Sequence, residues 1–224
     1  MAGGTGGLGR AVSLAFLAAG ADVTATYRSP AEAAELSATA GPDAGRLATR
    51  AVDVGDEAAV RALIDEIAGR TGRLDALINA VGGWAGGAPL WEADPALFDR
   101  MLAVNLRAGV VLCRAAVPVM LRQGRGAIVN VASRAGVAPG RGEAAYAASK
   151  AAALAMITSL AADLHGTGVR ANSVVPSIID TEANRKAMPK ADFSKWPKPE
   201  EIARVILFLC GEDAALVSGA AIPV

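Results

Sequence analysis

Five glycines among residues 3–9 run straight into a helical stripe of Leu8, Val12, Phe16 and Ala19, and this feature limits the fold most. A glycine-dense turn before an amphipathic helix bends the backbone tightly. It also leaves main-chain N–H donors free at the positive end of a helix dipole. Gly3, Gly7 and Gly9 fall at G-x-x-x-G-x-G spacing, which lets a pyrophosphate approach with no Cβ in the way. The same spacing alone also closes ordinary loops, so its weight depends on the residues downstream of it.

Downstream, short apolar runs alternate with longer stretches of 3.6-residue periodicity. That pattern predicts an α/β fold, a doubly wound parallel sheet of Rossmann-like type with helices on both faces. Strands are predicted over 22–27, 47–52, 74–79, 127–131, 169–175 and 220–224. Val60, Leu63, Ile64 and Ile67 mark one helix face, and a long helix runs from Pro95 to about Leu121 with a bend allowed at Pro118. An Ala-rich helix over 144–165 can be capped by Gly166, and Pro199 opens a last helix striped by Ile202, Val205, Ile206 and Leu209. With no repeat, low-complexity tract or linker, residues 1–224 read as one domain. Ser177 to Lys198 is the one long irregular region, a length that suits a lid or binding segment.

Lys plus Arg and Asp plus Glu balance at 22 each, which removes the electrostatic case for a nucleic-acid or anionic-membrane partner. The most apolar stretch, Val110 to Leu121, contains Arg114 and Pro118 and is too short to span a bilayer. No secretion signal is visible at the start. Cys113 and Cys210 lie in apolar helical stretches without metal-ligand spacing and read as reduced core thiols, so the chain is expected in the cytoplasm. No His/Cys cluster suggests a metal, and His165, beside Gly166, reads as a helix-end residue.

Tyr146 and Lys150 stand one turn apart on the same helix face. An ammonium beside a phenol favours the phenolate, so Tyr146 is expected to titrate below about 10 and to exchange a proton with a carbonyl or alcohol oxygen. Ser133, just past the strand over 127–131, supplies a hydroxyl that can hold the same oxygen. Taken alone, a Tyr/Lys pair at this spacing is usually an ordinary surface pair.

Together these residues resemble the short-chain dehydrogenase/reductase family from one end of the chain to the other. Ala2-Gly3-Gly4-Thr5-Gly6-Gly7-Leu8-Gly9 is similar to the family's T-G-x-x-x-G-x-G, with Ala2 for Thr. Asp53-Val54 resembles its adenine-contacting Asp. Asn79-Ala80-Val81-Gly82 resembles N-N-A-G with two positions changed, and Pro176-Ser177 with Thr181 resembles P-G-x-x-x-T. Asn105, Ser133, Tyr146 and Lys150 match its catalytic tetrad.

The resemblance implies a hydride transfer between NADP(H) or NAD(H) and a small carbonyl or alcohol substrate. Tyr146 would be the acid or base, Ser133 would polarise the carbonyl, and Lys150 would lower the tyrosine pKa and hold the nicotinamide ribose. Asn105 would anchor a water relay. Gly3, Thr5, Gly7, Leu8, Gly9, Tyr27, Arg28, Asp53, Val54, Asn79, Ala80, Pro176, Ile179 and Thr181, with Tyr146 and Lys150, would contact the cofactor. A homotetramer or homodimer packed through the two long helices is also implied.

Where an acidic residue would select NAD, this chain has Tyr27 followed by Arg28, whose guanidinium suits the 2′-phosphate of NADP. The substrate pocket is expected from residues 82–91, 134–143 and the 177–198 lid. Trp84 either walls that pocket or packs the loop against the core. Arg134, Arg141, Arg185 and Lys186 stand where they would meet an acidic substrate, although loop charges are usually just solvated.

Met1 precedes Gly3 by only two residues, leaving no room for the family's first, central strand, and the other end stops short of the usual tail. A gap of about 9 to 10 Å lined by unpaired backbone is therefore expected. This suggests that Met1 is internal to a longer natural protein. It also keeps open two other readings, a non-catalytic dinucleotide-binding protein and a truncated inactive product.

Overall fold

In the computed structural model, which describes residues 1–224, parallel strands alternate with helices. In chain order they are α1 (Gly7–Ala18), β1 (Val23–Tyr27), α2 (Pro30–Ala40), β2 (Leu47–Ala51), α3 (Glu57–Thr71), β3 (Ala76–Asn79), α4 (Pro95–Leu102) and α5 (Ala108–Gln123). Next come β4 (Gly126–Val131), α6 (Ala144–Asp163), β5 (Val169–Val175), α7 (Glu182–Ala187), α8 (Pro199–Cys210) and β6 (Ala221–Pro223). β3, β4, β5 and β6 pair in that order, all parallel, and β1 pairs with β2.

Alternation along each strand sends successive side chains to opposite layers. Ile128 and Ala171 join Val60, Ile64, Val111, Leu112, Met120 and Ile157 beneath α3, α5 and α6. Val129 and Val174 join Leu8, Val12, Ile202, Ile206 and Leu209 beneath α1 and α8. Burial on both faces is why β4 is almost continuously apolar, whereas β5 also carries Arg170, Asn172 and Ser173. α4 with α5, and α6, are long and apolar enough by composition to cross a membrane, but their core faces are packed on the sheet.

The structure corrects several expectations from the sequence. In α1 the buried stripe is Leu8, Val12 and Leu17, while Phe16 is half-buried and Ala19 is the exposed C-terminal cap. The long helix is unbroken at Pro118, and its irregularity falls at a π-turn over Ala103–Arg107 instead. α2 carried no apolar stripe to announce it, and Ser29 starts it by accepting from the Glu32 N–H. The 177–198 region contains the short α7, and its Phe193 and Trp196 rings pack with centroids 4.9 Å apart. Cys113 and Cys210 are free, each thiol pushed up to about 12, chiefly by burial.

The space between β1 and β3 is not left wholly unpaired, as the sequence suggested. Residues 1–4 lie in it in extended pairing with both neighbours. The Ala2 N–H donates to the Ile78 carbonyl at 2.9 Å, and the Ala80 N–H donates to the Ala2 carbonyl at 3.0 Å. On the other side the Thr26 N–H donates to the Met1 carbonyl at 2.9 Å, and the Gly4 N–H donates to the Thr26 carbonyl at 3.1 Å. These bonds tie the two sheets together at the ends of β1 and β3 from which the chain leaves each strand.

The glycine turn then folds back on itself. Gly3 has φ +68°, and a Cβ on Gly9 would stand 1.9 Å from the Gly3 carbonyl oxygen. Gly9→Ala is therefore expected to force the turn off α1, costing on the order of 2 kcal/mol or more. Thermal unfolding monitored by circular dichroism should show a melting temperature lower by roughly 5 °C.

Candidate active site

The cleft of about 830 Å³ at the mouth of the glycine turn is within the usual range for a small-molecule site. Gly3, Thr5, Tyr27, Arg28, Asp53, Val54 and Ala80 line it. Gly6 caps α1 without any side-chain acceptor, and no acidic residue lies in the first turn. The helix N–H groups therefore remain free for an anion. A pyrophosphate fits this cradle, because glycine leaves the approach open.

Other sequence candidates shape the cleft without lining it. Leu8 is in the core, and Gly9 packs against Gly3. A Cβ on Gly7 would stand 2.8 Å from the Thr181 Cγ2, so Gly7 and Thr181 join the glycine turn to the start of α7. Ile179 packs into the α1/α8 cluster, and the Pro176 carbonyl accepts the Arg134 N–H at 2.9 Å. Asn79 is 3% exposed and faces the core; its amide donates to Asn130 at 2.9 Å while its oxygen accepts the Val81 N–H at 3.2 Å. Glu32 and Arg107 also line the cleft. Sequence reasoning missed both, since one lies within a helical turn and the other is delivered by the π-turn.

Asn105 sits in that π-turn, 2% exposed. Its amide donates to the Gly83 carbonyl and to Ser149 Oγ, both at 3.0 Å, and its oxygen accepts the Gly83 N–H at 2.9 Å. The extra residue of a π-turn turns the side chain toward the 82–83 loop. Ser149, also missed from sequence, donates to the Tyr146 carbonyl at 2.7 Å and so links Asn105 to α6.

Lys150 is 5% exposed and makes one protein hydrogen bond, to the Val131 carbonyl at 3.1 Å. An ammonium has three donors, so two remain for a ligand. Burial lowers its pKa from 10.5 to about 8. Lys150 Nζ and Asn105 Oδ1 each lie 2.9 Å from where a Cβ on Gly82 would stand. They are therefore within twice that distance of each other, the reach of one bridging water.

Ser133 precedes the turn over Arg134–Gly136 and accepts the Ala135 N–H at 3.2 Å. Gly136 lets this turn lie against α6, since a Cβ there would stand 2.9 Å from the Lys150 carbonyl carbon. The turn that carries Ser133 thus packs on the helix that carries Tyr146. The expected acidification of Tyr146 by Lys150 is not found. Burial holds the phenol above its ordinary range, the Ser133 hydroxyl works against that, and Glu143 adds to it. The helix places Tyr146 and Lys150 on one face, but the ammonium reaches back to Val131 and burial dominates.

The substrate-side loops are joined. The Gly87 N–H donates to the Gly142 carbonyl at 2.8 Å. Arg185 pairs with Asp180 at 2.5 Å, and Lys186 pairs with Glu182 at 2.6 Å, so both cations have partners in their own segment. Trp84 is 60% exposed and does not pack its loop against the core.

A glycine cradle at a helix start, in a doubly wound parallel sheet with Tyr and Lys on a helix of the opposite layer, defines a nicotinamide-dependent oxidoreductase class. The short chain dehydrogenase family model matches residues 1–192, and the chain belongs to that family. It is 36% identical to D-threitol dehydrogenase of Mycolicibacterium smegmatis over 97% of this chain and 87% of the relative. It is 35% identical to meso-2,3-butanediol dehydrogenase of Serratia marcescens over 97% and 88%. The structure of ElxO with NADP bound superimposes with a TM-score of 0.93 at 27% identity, covering 99% of this chain and 94% of that one.

Lys150→Met should stabilise the free protein at pH 7 by on the order of 2 kcal/mol, because it removes a buried charge with one protein partner. The folded pKa is depressed, so between about 8 and 10.5 the unfolded chain binds a proton that the folded chain does not. Wild-type stability therefore gains on the variant as pH rises through that window. Urea titrations of both proteins from pH 7 to 10 should show the difference narrowing.

Proposed function

We propose that this enzyme transfers a hydride between NADP(H), or NAD(H), and a small ketone or secondary alcohol, with Tyr146 as the proton donor or acceptor. The observation that carries this is the Lys150 ammonium beside Gly82 in the wall of the glycine-cradled cleft, one helical turn from Tyr146, whose phenol Ser133 influences. When bound, the nicotinamide ring supplies or accepts the hydride. Ser133 holds the substrate oxygen by a hydrogen bond, and Tyr146 gives that oxygen a proton in reduction or takes one in oxidation. Lys150 uses its two free donors on the nicotinamide ribose. Asn105 keeps the 82–83 loop against that wall and, with a bridging water, carries protons from Lys150 toward solvent.

A phenol held protonated by burial is the state that reduction needs. Oxidation needs the phenolate. The names of the two polyol dehydrogenases above support a small hydroxylated substrate or its ketone. Arg28, with no ion-pair partner, favours NADP over NAD. Exposed Val110 and Leu121 on α5 suit packing against a second copy, as a homodimer or homotetramer. The free cysteines suit a reducing compartment such as the cytoplasm.

Tyr146→Phe should lower turnover by about a thousandfold or more while leaving NADPH affinity, read by fluorescence titration, within a few-fold of wild type. Unchanged turnover would remove Tyr146 from the chemistry. In the wild type, ketone reduction should hold its rate through neutral pH, and alcohol oxidation should climb steadily into the alkaline range. Steady-state rates in both directions at matched cofactor saturation test that asymmetry.

A further inference from the structure

Both charge signs face the part of the cleft between the glycine turn and the start of α2. Arg28 follows β1 and has no carboxylate partner. Glu32, in the first turn of α2, lines the same cleft. Its carboxylate accepts a hydrogen bond at 3.0 Å from the hydroxyl of Thr5, itself only 6% exposed within the glycine turn. The neighbouring acid on α2, Glu35, is paired with Arg10, whereas Glu32 has no cation partner. The carboxylate of Glu32 is thus held over the pyrophosphate cradle by a hydroxyl and left with acceptor capacity for a ligand.

We infer that Glu32 is a cofactor-discriminating residue: its carboxylate accepts from the free ribose hydroxyls of NAD(H) and opposes the 2′-phosphate of NADP(H), which Arg28 attracts. This deepens the dinucleotide reading above and rests on it. A ribose diol offers two donors and no charge, so a carboxylate satisfies it. A phosphate at the same carbon brings negative charge and acceptors only, so it repels Glu32 and takes the Thr5 hydroxyl away from it. The two residues pull the preference in opposite directions. The enzyme uses both nucleotides, with a narrower margin for NADP(H) than Arg28 alone would set.

The test is a fluorescence titration of wild type, Glu32→Gln and Arg28→Ala with NADPH and with NADH, at low and at moderate salt. Glu32→Gln keeps the shape of the side chain and removes its charge. It should tighten NADPH by about tenfold and weaken NADH by a few-fold, with the NADPH gain shrinking as salt rises. Arg28→Ala should weaken NADPH by roughly tenfold or more and leave NADH within about twofold. If Glu32→Gln moves both nucleotides by the same factor, or neither, the discriminating role is wrong although the dinucleotide site stands. If wild type binds neither nucleotide, the dinucleotide reading fails and takes this inference with it. Thermal melts of both variants check that the fold is intact, as substitution of exposed side chains predicts.

Discussion

Backbone pairing through the first four residues holds the two parts of this molecule together. The main-chain groups of Met1, Ala2 and Gly4 bond to β1 on one side, and to β3 and the residue after it on the other. The glycine turn has to leave this narrow place between two strands and enter α1 at once. It manages this because Gly3 adopts a left-handed conformation and Gly9 allows the Gly3 carbonyl to lie against it. The cleft and its free N–H groups depend on that close approach.

A second constraint acts around Lys150. Lys150 is buried in a place with one protein acceptor, so its ammonium is under-solvated and its pKa falls to about 8. Such a group is costly to the free fold and ready to meet a ligand bearing hydroxyl groups, an exchange of stability for binding common at functional sites. Around it, Asn105, Ser149 and Gly82 hold distances that a Cβ or a missing amide would disturb. A similar polar arrangement lies in the core. Asn79, Asn130 and Ser173 stand in register across three strands, and the Asn130 amide and Ser173 hydroxyl have no protein partner. Gly109 on α5 leaves room above the first two.

The doubly wound parallel architecture and the short-chain dehydrogenase resemblance were legible in the chain itself, because both depend on local periodicity and motif spacing. Val60, Leu63 and Ile64 form a stripe whatever they pack against, and the glycines before α1 leave few alternatives. Misreadings came where local signals compete. Pro118 suggested a bend, but the irregularity of the long helix falls at Ala103–Arg107, where Asn105 bonds to the 82–83 loop. α2 has little apolar character and depends on a cap and on Leu36 packing with Leu17.

Sequence alone determined that Tyr146 and Lys150 share one face of a helix, because 3.6 residues per turn leaves no other outcome at a spacing of four. It also set the glycine turn before α1 and the alternation from which a parallel sheet is built. Only the tertiary structure decided where the Lys150 ammonium points, that burial outweighs its influence on the phenol, and that Glu32 meets Thr5 across 27 residues of chain. Desolvation and long-range contacts depend on what surrounds a group in space, and no local spacing encodes that.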